Sequence, residues 1–244
     1  RVMAGRSESG SGGHVVVAAA QNSATLRSGS GVAGVVTVAS GDSIRGSGAV
    51  TLASGTSSRG QTGSLNIRSG NALNGEAGNI VVSAGVSNSG SADIALIAGD
   101  AQDAGDASDD VGGQIRVVSG SGPSGSGAVL VSTPSSVRGP SGALALSSGN
   151  SERDTSGSIK LASGSSQVDQ AGGISIVVGE SGSGAGDVMV TGSSVTGNSD
   201  GGDVALMTGA SNIAASGSLR MLTADSSSGS GDVLVGTGTA TTDN

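Results

Sequence analysis

The sequence predicts an all-β fold: a parallel β-solenoid, or β-helix, built from about fifteen strand-turn repeats of about 15 residues each. Three observations lead there. Aliphatic residues alternate strictly in short runs, the runs return at a nearly fixed spacing, and Gly and Ser fill what lies between them. Alternation with a period of two is the pattern of a strand, and a helix of period 3.6 cannot hold those positions on one face.

Each repeat opens with the phrase Gly-x-φ-x-φ, where φ is aliphatic. The first φ falls on Val15, Val36, Val50, Leu65, Ile80, Ile94, Ile115, Val129, Leu144, Ile159, Ile174, Val188, Val204, Leu219 and Val233. The second follows two residues later, as at Val38, Leu52, Ile67, Val82, Leu96, Val117, Val131 and so on to Val235. Two residues further stands something small, such as Ser40, Ser54, Ser69, Ala84, Ala98, Ser119 or Thr133. Corners then follow, for example "GDSIRGS", "GSSQVDQA" and "GASNIAAS". Gly supplies unusual backbone angles there, while Ser, Asn and Asp satisfy local backbone groups. Most repeats keep nearly the same length, as from Gly48 to Gly63 and from Gly63 to Gly78. Two are stretched, one between Gly13 and Gly34 and the other between Ala92 and Gly113.

One repeat offers only two aliphatics against the entropy of ordering the whole unit, so stacking of neighbours is expected to supply the remainder. One phrase per coil leaves no opposing wall. Two or three phrases per coil both give one, and three is favoured because Asn66, Arg116 and Lys160 occupy the outward position of every third copy. The expected organisation is a polar leader over 1–12, one solenoid domain over 13–236, and a polar tail over 237–244. The opening "RVMAGRSESG" reads as a mature product or a piece of something longer, and neither end carries a capping segment. End-to-end stacking of copies, or continuation of the chain, is therefore expected.

Composition narrows the chemistry. Among 244 residues there are 47 Gly, no Cys, no Phe, Tyr or Trp, and one His, with a formal net charge of −8. Apolar residues at 34% and modest charge argue for patterned order over disorder. The absence of Cys and the lone His14 exclude a thiolate or imidazole metal site, and His14 reads as an ordinary residue at a strand start. An acidic chain without aromatics is a poor nucleic-acid binder. Gly-x-Gly-x-x-Gly occurs at Gly29–Gly34 and Gly120–Gly125, but neither opens a helix, so no nucleotide is expected. No apolar run approaches a membrane span. No cofactor, catalytic residue or resident metal is expected, and the chain reads as a non-enzyme. No Asn-x-Ser/Thr sequon occurs, which leaves O-linked modification of the corner serines as the glycosylation route.

Two sets of carboxylates stand out. Asp100, Asp103, Asp106, Asp109 and Asp110 crowd one stretched repeat and are the calcium candidates, although their spacing is not that of an EF-hand loop, lacks the Gly-Gly-x-Gly-x-Asp rhythm of calcium-binding nonapeptide repeats, and a solvated acidic loop is the plainer reading. Asp93, Asp187, Asp203 and Asp232 each precede a first φ, where corner stabilisation is expected. Outward positions such as Thr37, Thr51, Asn66, Val81, Arg116 and Leu130 form no regular Thr ladder of the kind ice binding needs.

The phrase Gly-x-φ-x-φ-x-Ser-Gly with Ser-rich corners, from about Gly13 to Val235, resembles the Ser/Gly-rich repetitive surface and cell-wall proteins of diatoms and related algae. It is also similar to the β-helical shafts of bacterial filamentous adhesins. The resemblance implies a secreted structural or adhesive role, as a unit of extracellular filaments or flagellar hairs, and it carries over no site residue. The expectation is a structural rod or filament subunit outside the cell. Its partners are itself or related subunits, and it associates through its ends and through outward apolar residues such as Val81, Leu130, Met189 and Leu234. The alternative is a surface-binding or adhesion module for glycan, ice or calcium.

Overall fold

The structure is a computed structural model, and it describes residues 17, 24–28, 34–101 and 111–239. Two units divide the chain, Arg1–Val129 and Leu130–Asn244. Among the described residues there is no helix and no β-strand. The expected parallel β-solenoid is therefore corrected. The phrases and corners occur as sequence units, but among the described residues no backbone ladder joins one phrase to the next.

In the first unit the chain bends at 44–45, 58–60, 73–75, 88–90 and 123–124. In the second it bends at 137–139, 152–154, 167–169, 182–183, 196–199, 212–214 and 227–228. Each bend falls in a Ser/Gly-rich segment between phrases. The physical basis is local: a Ser hydroxyl accepts a backbone N–H two or three residues ahead. Gly60 N–H donates to Ser57 Oγ at 3.0 Å, Gly139 to Ser136 at 3.2 Å, Asp154 to Ser151 at 3.1 Å, and Ala214 to Ser211 at 2.9 Å. Such contacts need no partner strand, so they form even where nothing packs above them. Gly90 adds a backbone angle of its own, with φ at 106°, a region that side-chain-bearing residues avoid.

Backbone-to-backbone hydrogen bonds among the described residues close loops. In the first unit Gly113 N–H reaches Gly99 O at 2.8 Å, and Gly127 N–H reaches Gly120 O at 2.9 Å. Inside the latter loop, Gly125 N–H donates to Gly122 O at 3.3 Å across Pro123 and Ser124, a β-turn whose second residue is preset by the proline ring. In the second unit Gly202 N–H donates to Ser193 O and Gly217 N–H to Gly209 O, both at 3.0 Å.

These closures explain two letters of the repeat. In several repeats the glycine that opens a phrase sits against the small residue that ended the phrase before it, although Gly78, after Ser69, meets nothing within 4 Å. A Cβ on Gly48 would lie 3.9 Å from Ser40 Cβ, and one on Gly127 would lie 3.6 Å from Ser119 Cβ. In the second unit the corresponding approaches are 3.4 Å for Gly157 to Ser148 and 3.4 Å for Gly217 to Thr208. Each of these corners is thus a short loop with its ends pinched together, which fits the definition of a small Ω-loop. The end-of-phrase residue is small because the loop mouth is narrow. Fittingly, Ser40, Ser69, Ala98 and Ser119 are among the few half-buried residues of the first unit.

No core forms among the described residues. The reason is arithmetic in kind: two aliphatics per repeat, with no aromatic anywhere, present too little apolar area to offset the entropy of bringing repeats into register. First-φ residues from Val36 to Val233 are 48–59% exposed, but second-φ residues, which alternation puts on the same side, are 55–82% exposed and overlap the outward Val81 at 80%, so exposure does not divide the phrases into two sides.

Because the turns are stabilised by single side-chain acceptors, each is separable. Ser57→Ala removes the acceptor of Gly60 N–H and is expected to cost that turn about 0.5 kcal/mol, near the low end for one exposed hydrogen bond. The check is amide exchange at Gly60, roughly twofold faster in the variant with Gly139 unchanged.

Candidate functional site

The residues singled out in the sequence fare unequally. Of the calcium candidates, Asp100 is described and exposed, and Asp103, Asp106, Asp109 and Asp110 lie outside the described residues, as does His14. Among the described residues no group of three His, Asp or Glu is placed to hold a metal ion. The mouth of this stretched loop is held by the Gly113 to Gly99 bond.

Asp93, Asp187, Asp203 and Asp232 are exposed at the phrase starts. The corner carboxylates that do accept backbone N–H groups are different ones. Asp154 takes the Thr155 N–H at 2.7 Å, and Asp169 takes the Gln170 N–H at 2.8 Å. Both belong to Ser-capped turns, where a second acceptor satisfies one more amide in the bend.

One cleft, of about 500 Å³, lies inside the loop Val178–Gly186. At its mouth Val178 stands where most repeats place Ser, Ala or Thr, and a Cβ on Gly186 would meet Val178 Cγ1 at 3.0 Å. The loop is propped around Ser181, whose hydroxyl accepts the N–H groups of Ser183 and Gly184 at 3.4 and 3.3 Å. Glu180 is the one titratable side chain in its lining. A single exposed carboxylate beside hydroxyls provides neither a paired acid and base nor an activated nucleophile.

What the structure adds is at the loop tips. Ile44, Leu73, Val86, Val137, Val168 and Ile213 are 96–105% exposed, one aliphatic per corner. Alongside them runs a repeated tetrad: Ser43-Ile44-Arg45-Gly46, Ser57-Ser58-Arg59-Gly60, Ser136-Val137-Arg138-Gly139 and Ser151-Glu152-Arg153-Asp154. In all four, the Ser hydroxyl accepts the N–H three residues ahead, at 3.0–3.4 Å, and the Arg occupies the same third place. All four Arg are exposed. Reading the corners as polar spacers hides this row, although the recurrence of Ser-x-Arg at a spacing of one repeat is visible in the letters.

No helix among the described residues is long and apolar enough to cross a membrane. No family model, no curated protein and no solved structure matches the chain.

Proposed function

We propose that the chain is a structural protein of the cell exterior whose copies associate with one another through their exposed aliphatic residues, without catalysis. One observation carries this reading. Over a third of the residues are apolar and spaced in register, yet those described remain outside any core. A free monomer rarely keeps so much apolar surface in water, and surface of that kind ordinarily marks an interface. A second copy is the natural occupant, since every phrase of one chain meets an equivalent phrase of the other at each shift of one repeat. Ends that associate in this way need not close on themselves, so growth is open.

The test is sedimentation velocity and electron microscopy of the purified chain across a concentration series, with and without calcium. Concentration is set by peptide absorbance, because no Trp or Tyr absorbs near 280 nm. Mass that grows with concentration and elongated assemblies on the grid are the expected result. A single 22.6 kDa species at every concentration overturns the reading, and association only with calcium moves the function to cation-dependent binding.

A further inference from the structure

We infer that Asn74 is a self-modifying site, where the Gly75 backbone amide closes on the Asn74 side chain and water then leaves an aspartyl or isoaspartyl residue in the corner. The step needs no enzyme and no cofactor, and it does not depend on self-association.

The corner 70–78 departs from the one before it at a decisive place. It bends at 73–75 as the corner 55–63 bends at 58–60, and the two align without a gap. Gly75 therefore corresponds to Gly60, Asn74 to Arg59 and Ala72 to Ser57. In the earlier corner Gly60 N–H donates to Ser57 Oγ at 3.0 Å. The equivalent amide is held by a Ser hydroxyl in the corners of Ser43, Ser136 and Ser151 as well. Ala72 has no hydroxyl to offer, and no backbone bond among the described residues takes the Gly75 N–H.

Asn74 is also the only Asn that precedes a Gly. Both residues are exposed, and a Cβ on Gly75 would have nothing within 4 Å, so the nitrogen is open to approach. Two other corner asparagines show the opposite arrangement. The amide after Asn88 is that of Ser89, which donates to Ser87 Oγ at 3.2 Å. The amide after Asn212 is that of Ile213, which donates to Ser211 Oγ at 3.4 Å. A hydrogen bond made by the neutral N–H holds its proton in place. A Cβ on the following residue also crowds the attacking nitrogen, which Gly leaves clear.

The chemistry balances with water alone. Hydroxide removes the Gly75 amide proton, and the nitrogen attacks Asn74 Cγ. The N–Cγ bond forms, the Cγ–Nδ2 bond breaks, and the departing nitrogen takes up a proton to leave as ammonia. Water then opens the five-membered imide at one of its two carbonyls. Opening at Cγ restores the ordinary main chain with an aspartyl side chain. Opening at the main-chain carbonyl carbon routes the chain through Cβ and Cγ, which adds one atom to the bend. Either way a neutral amide becomes a carboxylate, on a chain already at −8 and next to Leu73, itself 96% exposed.

The experiment incubates the full chain in warm, mildly alkaline buffer. Peptide mapping by mass spectrometry reads the exchange of NH2 for OH at each Asn. Three variants accompany the parent: Ala72→Ser supplies the missing acceptor, Gly75→Val crowds the nitrogen, and Arg59→Asn places a second Asn-Gly pair in the Ser57-capped corner. Conversion at position 74 is expected to outrun that at every other Asn of the parent. Ala72→Ser is expected to slow it roughly threefold, the worth of one exposed hydrogen bond, and Gly75→Val to slow it further. In Arg59→Asn, position 59 is expected to convert roughly threefold more slowly than position 74, a comparison made within one chain. An Asn74 that outlasts Asn88 or Asn212 overturns the inference. Equal rates at positions 59 and 74, with no slowing by Ala72→Ser, overturn it too, because the missing hydroxyl would then make no difference.

Discussion

Replacing Val81, Leu130, Met189 and Leu234 together by Asp is expected to abolish self-association at any practical concentration. These four are 80–94% exposed, so the change removes nothing from the interior of the chain and its turns are expected to persist. Their loss is felt only between copies. Burying one such side chain against a partner is worth roughly 1.5–3 kcal/mol, so four contribute roughly 6–12 kcal/mol. That is comparable with the ~4–15 kcal/mol that association costs in lost freedom of motion. Removing the whole apolar contribution therefore leaves nothing to offset that cost, and four added carboxylates on a chain already at −8 deepen the repulsion. The measurement is sedimentation velocity against the parent, with amide exchange at Gly60 and Gly139 as the control that the Ser-capped turns survive. A variant that assembles like the parent places the interface elsewhere, and one that loses turn protection shows that these residues act within the chain.

The control matters because the structure separates what is local from what is cooperative. Everything that depends on a few neighbouring residues was legible in the sequence. Ser-rich corners predict bends, and the bends occur, with Ser57, Ser136, Ser151 and Ser211 each holding an amide a few residues ahead. Alternation predicts two unlike sides, but without a strand the second-φ Val235 is 82% exposed, as open as the outward Val81 at 80%, so that distinction does not form. The ladder between phrases was not legible, because it depends on a balance among repeats that no single repeat encodes. Alternation is necessary for a strand but does not supply the strand's partner. In a chain with Phe, Tyr or Trp at some of the φ positions, the same spacing would have had far more surface with which to draw phrases together.

The pinched mouths of the corners were half legible. The small residue at the end of each phrase stands out, yet its cause lies in a contact with the glycine eight or nine residues later, as between Ser40 and Gly48 or Ser54 and Gly63. The tip row escapes a reading by period, for a related reason. Ile44, Leu73 and Val137 fall outside the alternating frame, so a search for strands passes over them, although they are among the most exposed aliphatics described. Both features belong to loops, where spacing is set by closure and not by a two-residue period.

The loop at 192–202 is where closure is tightest, and Gly192→Val is expected to open it. Gly192 is half-buried and stands in the end-of-phrase position, where other repeats tolerate Ser, Ala or Thr. Here a Cβ would run into the Gly202 carbonyl, with the carbonyl carbon only 3.0 Å away. From the other side of the mouth, a Cβ on Gly202 would meet Ser193 Oγ at 2.7 Å and the Ser193 nitrogen at 2.9 Å. The obstacle facing residue 192 is backbone, so no side chain can swing aside there; the mouth must part and the Gly202 N–H to Ser193 O bond of 3.0 Å must break. Loss of that bond with the accompanying strain is expected to cost the closed loop about 2 kcal/mol. Val195 reports the change, since it is only 45% exposed while the other tip aliphatics are bare. Cleavage after Val195 by an elastase-like protease follows the open fraction and is expected to rise roughly thirtyfold. Gly197→Ala, in the same loop but with nothing within 4 Å of the added methyl, is expected to leave the cleavage rate unchanged. Equal rates for Gly192→Val and the parent would show that the mouth is not what holds this corner, and a rise in Gly197→Ala as well would show that any added side chain loosens it.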